Sequence, residues 1–248
     1  METVKVGVGA LSIEDVVNVA RYDAPIEITD EALVTMGETR KRVEELASNP
    51  TPVYGISTGF GALAKRHIPA EMRATLQKSL VRSHAAGSGP EVEREVIRAL
   101  NLLRISTLCT GRTGIRPEVA QCYAKLLNAG ITPIVHEYGS LGCSGDLAPL
   151  AHSALVLLGE GRARTKDGTE ITGAEACKAA GFEPIELKEK EGLALINGTD
   201  GMLGQLCLAI DDIRKLVTTA DIATALSLEG LTGTVSYTHL TLPTNREV

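Results

Sequence analysis

Three consecutive small residues, Cys143-Ser144-Gly145, stand inside the run GSLGCSGDLAPLAH from Gly139 to His152. Their types permit a reaction of the main chain. If the Gly145 amide nitrogen attacks the Cys143 carbonyl carbon, a five-membered ring closes with loss of that carbonyl's oxygen as water, and loss of a second water from Ser144 leaves a conjugated exocyclic alkene. Ser144 supplies the hydroxyl that leaves, Cys143 contributes its carbonyl, and Gly145 lacks the Cβ that would obstruct so tight an approach. The product is an electrophile built from peptide alone. The same residues also read plainly as a loop, since Ser140, Ser144 and Asp146 are ordinary cap residues and glycine is an ordinary turn residue. Residue types by themselves leave both readings open.

Other candidates divide in the same way. Tyr54, in TPVYGISTGFGAL (51–63), is either a base or a ring packed beside a loop with its hydroxyl bonded. His84, after Ser83 in LQKSLVRSHAAG (76–87), is either a ligand for a polar ring or a satisfied core histidine. Asn197, in GLALINGTDGML (192–203), is either a polar contact for a reacting centre or a helix N-cap. Asp146 either orients and deprotonates the groups that cyclise or caps a helix. The glycines at 55, 59 and 61 lack the spacing and the Lys-Ser/Thr ending of a phosphate loop. His84, His136 and His152 share no ligand spacing with Cys143, so no metal site is expected. Cys143 as a nucleophile beside a histidine base would be a different enzyme class.

These residues need a scaffold, and the chain has material for one. Its 248 residues are 44% hydrophobic with a net charge of -6, and both signs of charge are mixed throughout, so no basic stripe exists to follow a nucleic acid. No stretch looks close to the roughly 18 apolar residues of a membrane span, and nothing at the N-terminus reads as a leader. Cytoplasmic localisation without nucleic-acid or membrane partners is expected. Five scattered cysteines without a C-x-x-C pair read as reduced thiols. With no Trp and two Phe the core must be aliphatic, which suits packed helices.

Helix signals dominate. Ser12 to Asp15 forms a capping box, and Thr29-Asp30-Glu31 opens a second helix running to about Ala47. Met72, Leu76, Leu80 and His84 recur every four residues, predicting an apolar stripe ending in His84. Pro90 fits a first helical position, with Val92, Val96, Leu100 and Leu103 on the buried face and Arg94, Arg98 and Asn101 on others. Pro117 opens another helix that stops at Asn128-Ala129-Gly130, and one more starts near Asp146-Leu147. Residues 161–173, with Asp167-Gly168 as a turn, predict a small β element. A long apolar helix follows Asn197-Gly198. VSYTHLTLPTNREV (235–248) breaks the helical pattern and reads as a non-native tail.

GSLGCSGDLAPLAH resembles the prosthetic-group loop of the aromatic amino acid ammonia-lyases, and the segments at 51–63, 76–87 and 192–203 resemble three further motifs of that family in the same order. The resemblance covers essentially residues 4–234. It implies a mainly α fold, with an N-terminal helical domain (1–195) carrying minor β elements, the start of a long-helix bundle (196–234), and then the tail. It implies a methylidene-imidazolone (MIO) formed autocatalytically from Cys143-Ser144-Gly145, with no added cofactor. Tyr54 becomes the essential tyrosine, Asn197 a catalytic asparagine, and Ser83-His84 the pair found in members that accept histidine. Cys143 departs from the family's usual Ala, adding a thiol at the ring. The implied reaction is β-elimination of ammonia from L-histidine to give urocanate, in a homotetramer. A second tyrosine, a carboxylate-gripping arginine and a glutamate would lie beyond this sequence, so the chain alone is expected to be inactive. The alternatives are a tyrosine or phenylalanine lyase, an aminomutase, or an inert helical fragment.

Overall fold

In the computed structural model, which describes residues 2–141 and 145–231, the chain is mainly helical and its strands are short. The elements run β1 (Val4–Val6), α1 (Ile13–Tyr22), β2 (Ile26–Ile28), α2 (Asp30–Ser48), a 3-10 turn (Gly61–Leu63), α3 (Ala70–His84), β3 (Ser88–Glu91), α4 (Arg94–Cys109) and α5 (Pro117–Asn128). They continue with β4 (Thr132–Pro133), β5 (His136–Tyr138), α6 (Leu147–Leu157), β6 (Arg162–Arg164), β7 (Glu170–Thr172), α7 (Gly173–Ala179), α8 (Glu191–Ile196) and α9 (Asp200–Gly230). The chain divides into two units, Met1–Cys207 and Leu208–Val248. Every candidate site residue belongs to the first. The tail at 235–248 lies outside the described residues.

Local chemistry accounts for many of these boundaries. Ser12 Oγ accepts from the Asp15 N–H at 3.0 Å while the Asp15 carboxylate accepts from the Ser12 N–H at 2.9 Å, so two orphan donors at the start of α1 are satisfied reciprocally. Thr29 caps α2 through the Ala32 N–H, and Pro117, whose missing N–H costs nothing there, opens α5. The turn at Asp167-Gly168 joins β6 to β7 as an antiparallel hairpin, with Gly168 at φ 88°, and β4 extends it to three strands. Two further pairs, parallel β1–β2 and antiparallel β3–β5, are too short to have left an alternating pattern in the sequence.

Two helices differ from expectation, for one physical reason. On α3 the buried residues are Arg73, Gln77, Leu80 and Val81, whereas Met72 is exposed. Arg73 reaches the carbonyls of Ala47 and Ile68, and Gln77 Oε1 accepts the Gly192 N–H at 2.9 Å. Pro90 lies in β3, not at a helix start, and α4 begins only at Arg94. Nor is α4 amphipathic: it runs through the interior against α1, α2 and α5, burying Arg98, Asn101 and Arg104 with its aliphatic residues. Arg98 donates to the carbonyls of Val19 and Leu127, and burial pushes its pKa down to about 10 although Asp23 stands 3.1 Å away. Long polar side chains are buried here because they bond backbone groups at the ends of neighbouring helices, where the helix itself leaves carbonyls and N–H groups without partners.

The stretch Glu191–Gly230 is long and apolar enough, by length and composition, to cross a bilayer, which corrects the expectation that no stretch nears that threshold. Of its most apolar window, 44% is buried in the fold. The approach to α8 is fixed by Glu191, which is fully buried. Its carboxylate accepts from Arg116 Nε at 2.7 Å and from the Lys188 N–H at 2.8 Å. Replacing Glu191 by Ala would leave Arg116 without this partner, and we expect a loss of about 3 kcal/mol in urea denaturation. An unchanged midpoint would contradict this role.

Candidate active site

The segment at 145–146 is fixed by what it crosses. Gly145 holds φ at 137°, a region side-chain-bearing residues rarely enter, and a Cβ there would stand 2.9 Å from the Gly198 carbonyl oxygen. The next N–H, of Asp146, donates to that same oxygen at 2.6 Å. Two glycines therefore let two loops cross in direct main-chain contact. Cys143 and Ser144 lie outside the described residues.

Asp146 precedes α6 but makes no side-chain cap to it. Its buried carboxylate instead accepts the Met202 N–H at 3.0 Å, in the first turn of α9, and the Ser140 hydroxyl at 2.5 Å. A negative group at that position answers both the unpaired N–H groups and the dipole of a neighbouring helix. Asp146 is thus a cap, as one reading of the sequence held, but of a helix more than fifty residues away in the chain.

Asn197 is the C-cap of α8, not the N-cap of the next helix; Thr199 takes that place, its carbonyl accepting the Leu203 N–H. The turn holding Asn197 is tied down by Arg104, which the sequence reading passed over. Arg104 is 1% exposed; it donates to the carbonyls of Ala194 and Asn197, both at 3.0 Å, and pairs with Asp200. Thr107 donates to the other Asp200 oxygen. The available signal was a lone arginine among the apolar residues of NLLRISTL. With its main chain held, Asn197 presents an exposed carboxamide that has no hydrogen-bond partner among the described residues.

Tyr54 is half exposed, meeting the Phe60 ring edge-on at 6.1 Å, and its hydroxyl likewise has no partner among the described residues. It is not the buried, hydrogen-bonded tyrosine of the plainer reading. Its loop is stiffened by Ser57 and Thr58, both buried: Ser57 Oγ accepts the Val53 N–H and Thr58 Oγ1 the Gly55 N–H. Gly55 packs against Leu193 of α8, the helix that ends at Asn197.

Ser83 and His84 close α3. His84 Nδ1 lies 2.8 Å from the Leu80 carbonyl, which can only accept, so this nitrogen carries the proton and Nε2 keeps its lone pair in the neutral ring. Ser83 Oγ also turns back on Leu80. Gly87, just beyond, packs on Gly139 of the loop leading to Cys143. The structure thus joins the four sequence motifs in a circuit: 54 to α8 through Gly55, 197 to 145 through Gly198, the 139 loop to the end of α3 through Gly87, and α3 back to α8 through Gln77. A separate cleft between Arg94, Thr132, Arg164 and Lys166 lies apart from these residues. Its cations are held by Asp23 and Glu91.

Residues 11–247 match the family model described as aromatic amino acid lyase. The histidine ammonia-lyase of Streptomyces griseus is 61% identical over 234 residues, which are 94% of this chain and 46% of that protein. Among solved structures, the histidine ammonia-lyase of Trypanosoma cruzi aligns with a TM-score of 0.87 at 36% identity, covering 94% of this chain and 45% of that one. The tyrosine aminomutase of Streptomyces globisporus aligns at 0.86 and 38% identity, covering 92% and 42%. The chain spans about half the length of the curated relatives it matches.

The loop crossing generates a direct test. A methyl group on Gly198 would collide with Arg104 Nη2 and the Asp200 carboxylate, whereas one on Gly9 meets nothing within 4 Å. Gly198→Ala should cost about 1–3 kcal/mol in chemical denaturation, as overpacking does, and Gly9→Ala close to nothing. Equal midpoints for the two variants would show that the crossing is not tight.

Proposed function

We infer that this chain, which belongs to the aromatic amino acid lyase family, supplies part of a site that removes ammonia from L-histidine to give urocanate. The observation that carries this reading is that an exposed Tyr54 hydroxyl and Asn197 carboxamide, neither with a partner among the described residues, accompany a main-chain crossing built on Gly145. The buried Arg73, Arg98, Arg104 and Glu191 are bonded to carbonyls, N–H groups and charged partners, whereas these two side chains are exposed, as groups available to a ligand are.

The described residues fit the prosthetic group the family implies. Gly145 sits in a conformation suited to glycine, and the Gly198 carbonyl excludes any side chain on the residue whose nitrogen would close the ring. Cys143, Ser144 and Gly145 would form the MIO, which supplies an electrophile in place of an added electron-sink cofactor. Asp146 holds the downstream end of this segment against α9, and in this reading it orients the groups that cyclise.

The elimination breaks the Cα–N bond and removes one β-proton. That proton is weakly acidic, so a positioned base has to carry much of the barrier reduction, and Tyr54 takes this part. Asn197 offers donors and an acceptor to polar groups at the reacting centre. His84 offers the Nε2 lone pair to an N–H of the substrate imidazole, with Ser83 beside it. An imidazole ring satisfies this acceptor; a phenyl ring leaves it unpaired, which favours histidine over phenylalanine. The 61% identity to a histidine ammonia-lyase supports the same choice over the 38% to a tyrosine aminomutase. We place the whole protein in the cytoplasm as a homotetramer. The exposed Ile213, Leu216, Val217, Ile222 and Leu226 of α9 support an assembled state.

In the full-length protein, Tyr54→Phe should lower kcat by roughly 10²–10⁴-fold, the span of a lost general base. His84→Leu should raise KM for histidine. Urocanate formation followed by absorbance tests both. Turnover of tyrosine but not histidine by the unaltered protein would overturn the substrate, and full activity of Tyr54→Phe would overturn the base.

A further inference from the structure

We propose that His152 is a positioning residue for this site: its unprotonated imidazole holds the Gly87–Gly89 segment, and through it both Ser83-His84 and the Gly139 loop, so that protonating it weakens substrate binding. The inference rests on the reading of Ser83-His84 as the substrate contact.

His152 lies on α6, half-buried, and its Nε2 accepts the Gly87 N–H at 3.0 Å. An N–H can only be met by a lone pair, so Nε2 is bare and the proton is on Nδ1. The ring of His136 stands edge-on at 5.6 Å, and its Nδ1 is 2.9 Å from the Gly89 carbonyl, which it meets as a donor. Two imidazoles therefore grip three residues, one by accepting and one by donating. The grip is close: a Cβ on Gly87 would lie 3.0 Å from His152 Nε2 and 3.5 Å from His136 Cβ.

What is gripped connects to the site on both sides. Upstream, the Ala86 N–H donates to the His84 carbonyl at 2.8 Å and the Ala85 N–H to Val81, so Gly87 is one short turn from His84. Laterally, a Cβ on Gly139 would stand 3.2 Å from Gly87 Cα and 3.0 Å from Ala148 Cβ. A shift of Gly87 is thus felt at the substrate pair and at the loop that carries Cys143.

Protonation would place an N–H of His152 against the N–H of Gly87, turning an attraction into a repulsion. Burial, and secondarily the charge of His136, hold the His152 pKa below the ordinary 6.5. The titratable groups on the elements around α6 are Glu71, Arg73, Lys78, Arg82 and His84 of α3, Glu175, Cys177 and Lys178 of α7, Glu191 of α8, and Glu137 and Tyr138 beside His136 on β5. Among them only His136 acts on His152 through its charge. The sign follows: the unfolded chain takes up the proton first, so the stability His152 confers is complete above about 6.5 and is lost as pH falls from there through its folded value.

The test compares His152→Gln and His152→Leu with the unaltered full-length protein. Glutamine keeps an oxygen acceptor at the reach of Nε2 but does not titrate; leucine removes the acceptor. For leucine, the loss of one hydrogen bond predicts a KM for histidine raised about tenfold, with kcat changed less than about threefold. Glutamine should restore KM to within about threefold and abolish the acid-side rise in KM that the unaltered protein shows. An identical acid-side rise in the glutamine variant, or an unaltered KM in the leucine variant, would overturn the proposal. A second readout needs no turnover: with histidine-selective ¹⁵N labelling, the ring signals that vanish in His152→Gln should show a bare Nε2 at neutral pH. A protonated Nε2 there overturns the clamp whatever the substrate, whereas failure to deaminate histidine overturns the substrate reading and leaves the clamp standing.

Discussion

The candidate site is organised around one crossing of two loops, Gly145 on Gly198, where neither residue has room for a side chain. The bond from the Asp146 N–H to the Gly198 carbonyl fastens it, and the two flanking acids anchor it from opposite directions. Asp146, after the first loop, caps the helix that follows the second. Asp200, after the second loop, is held by Arg104 from the central helix. The first loop is thereby tied to the helix that follows the second, and the second is tied to α4.

Such an arrangement is costly to bury. A carboxylate or guanidinium taken from water loses several kcal/mol of hydration, repaid only when each lone pair and proton finds a partner. Asp146 and Arg104 offset this cost in good part through backbone groups, the Met202 N–H on one side and the carbonyls of Ala194 and Asn197 on the other. Arg98, Arg73 and Glu191 repeat the pattern elsewhere. These long polar side chains bond backbone at helix ends and turns, whereas Tyr54 and Asn197 are exposed, with no side-chain hydrogen-bond partner among the described residues.

Much of this was legible in the sequence. The caps at Ser12 and Thr29, the proline opening α5 and the turn at Asp167-Gly168 act within a few residues, so spacing sufficed to find them. The four motifs were found in order, but their circuit was not, because its joints are glycines: nothing in Gly55, Gly87, Gly139 or Gly198 announces which distant backbone needs the room. Burial on α3 and α4 was misread for a related reason. Periodicity assigns arginine and glutamine to the solvent face, whereas Arg73, Gln77 and Arg104 are inside because of carbonyls and N–H groups contributed by remote parts of the chain, the end of α2 and the short α8. The role of Asp146 combined both cases. Its position before α6 suggested a cap, and only the fold shows that the capped helix is α9.

The most direct measurement is the intact mass of the freshly purified full-length protein, followed by the mass of the peptide spanning 143–145. The account predicts a deficit of two water molecules, confined to that peptide and absent from Ser144→Ala. A protein of unmodified mass that still deaminates histidine would contradict it.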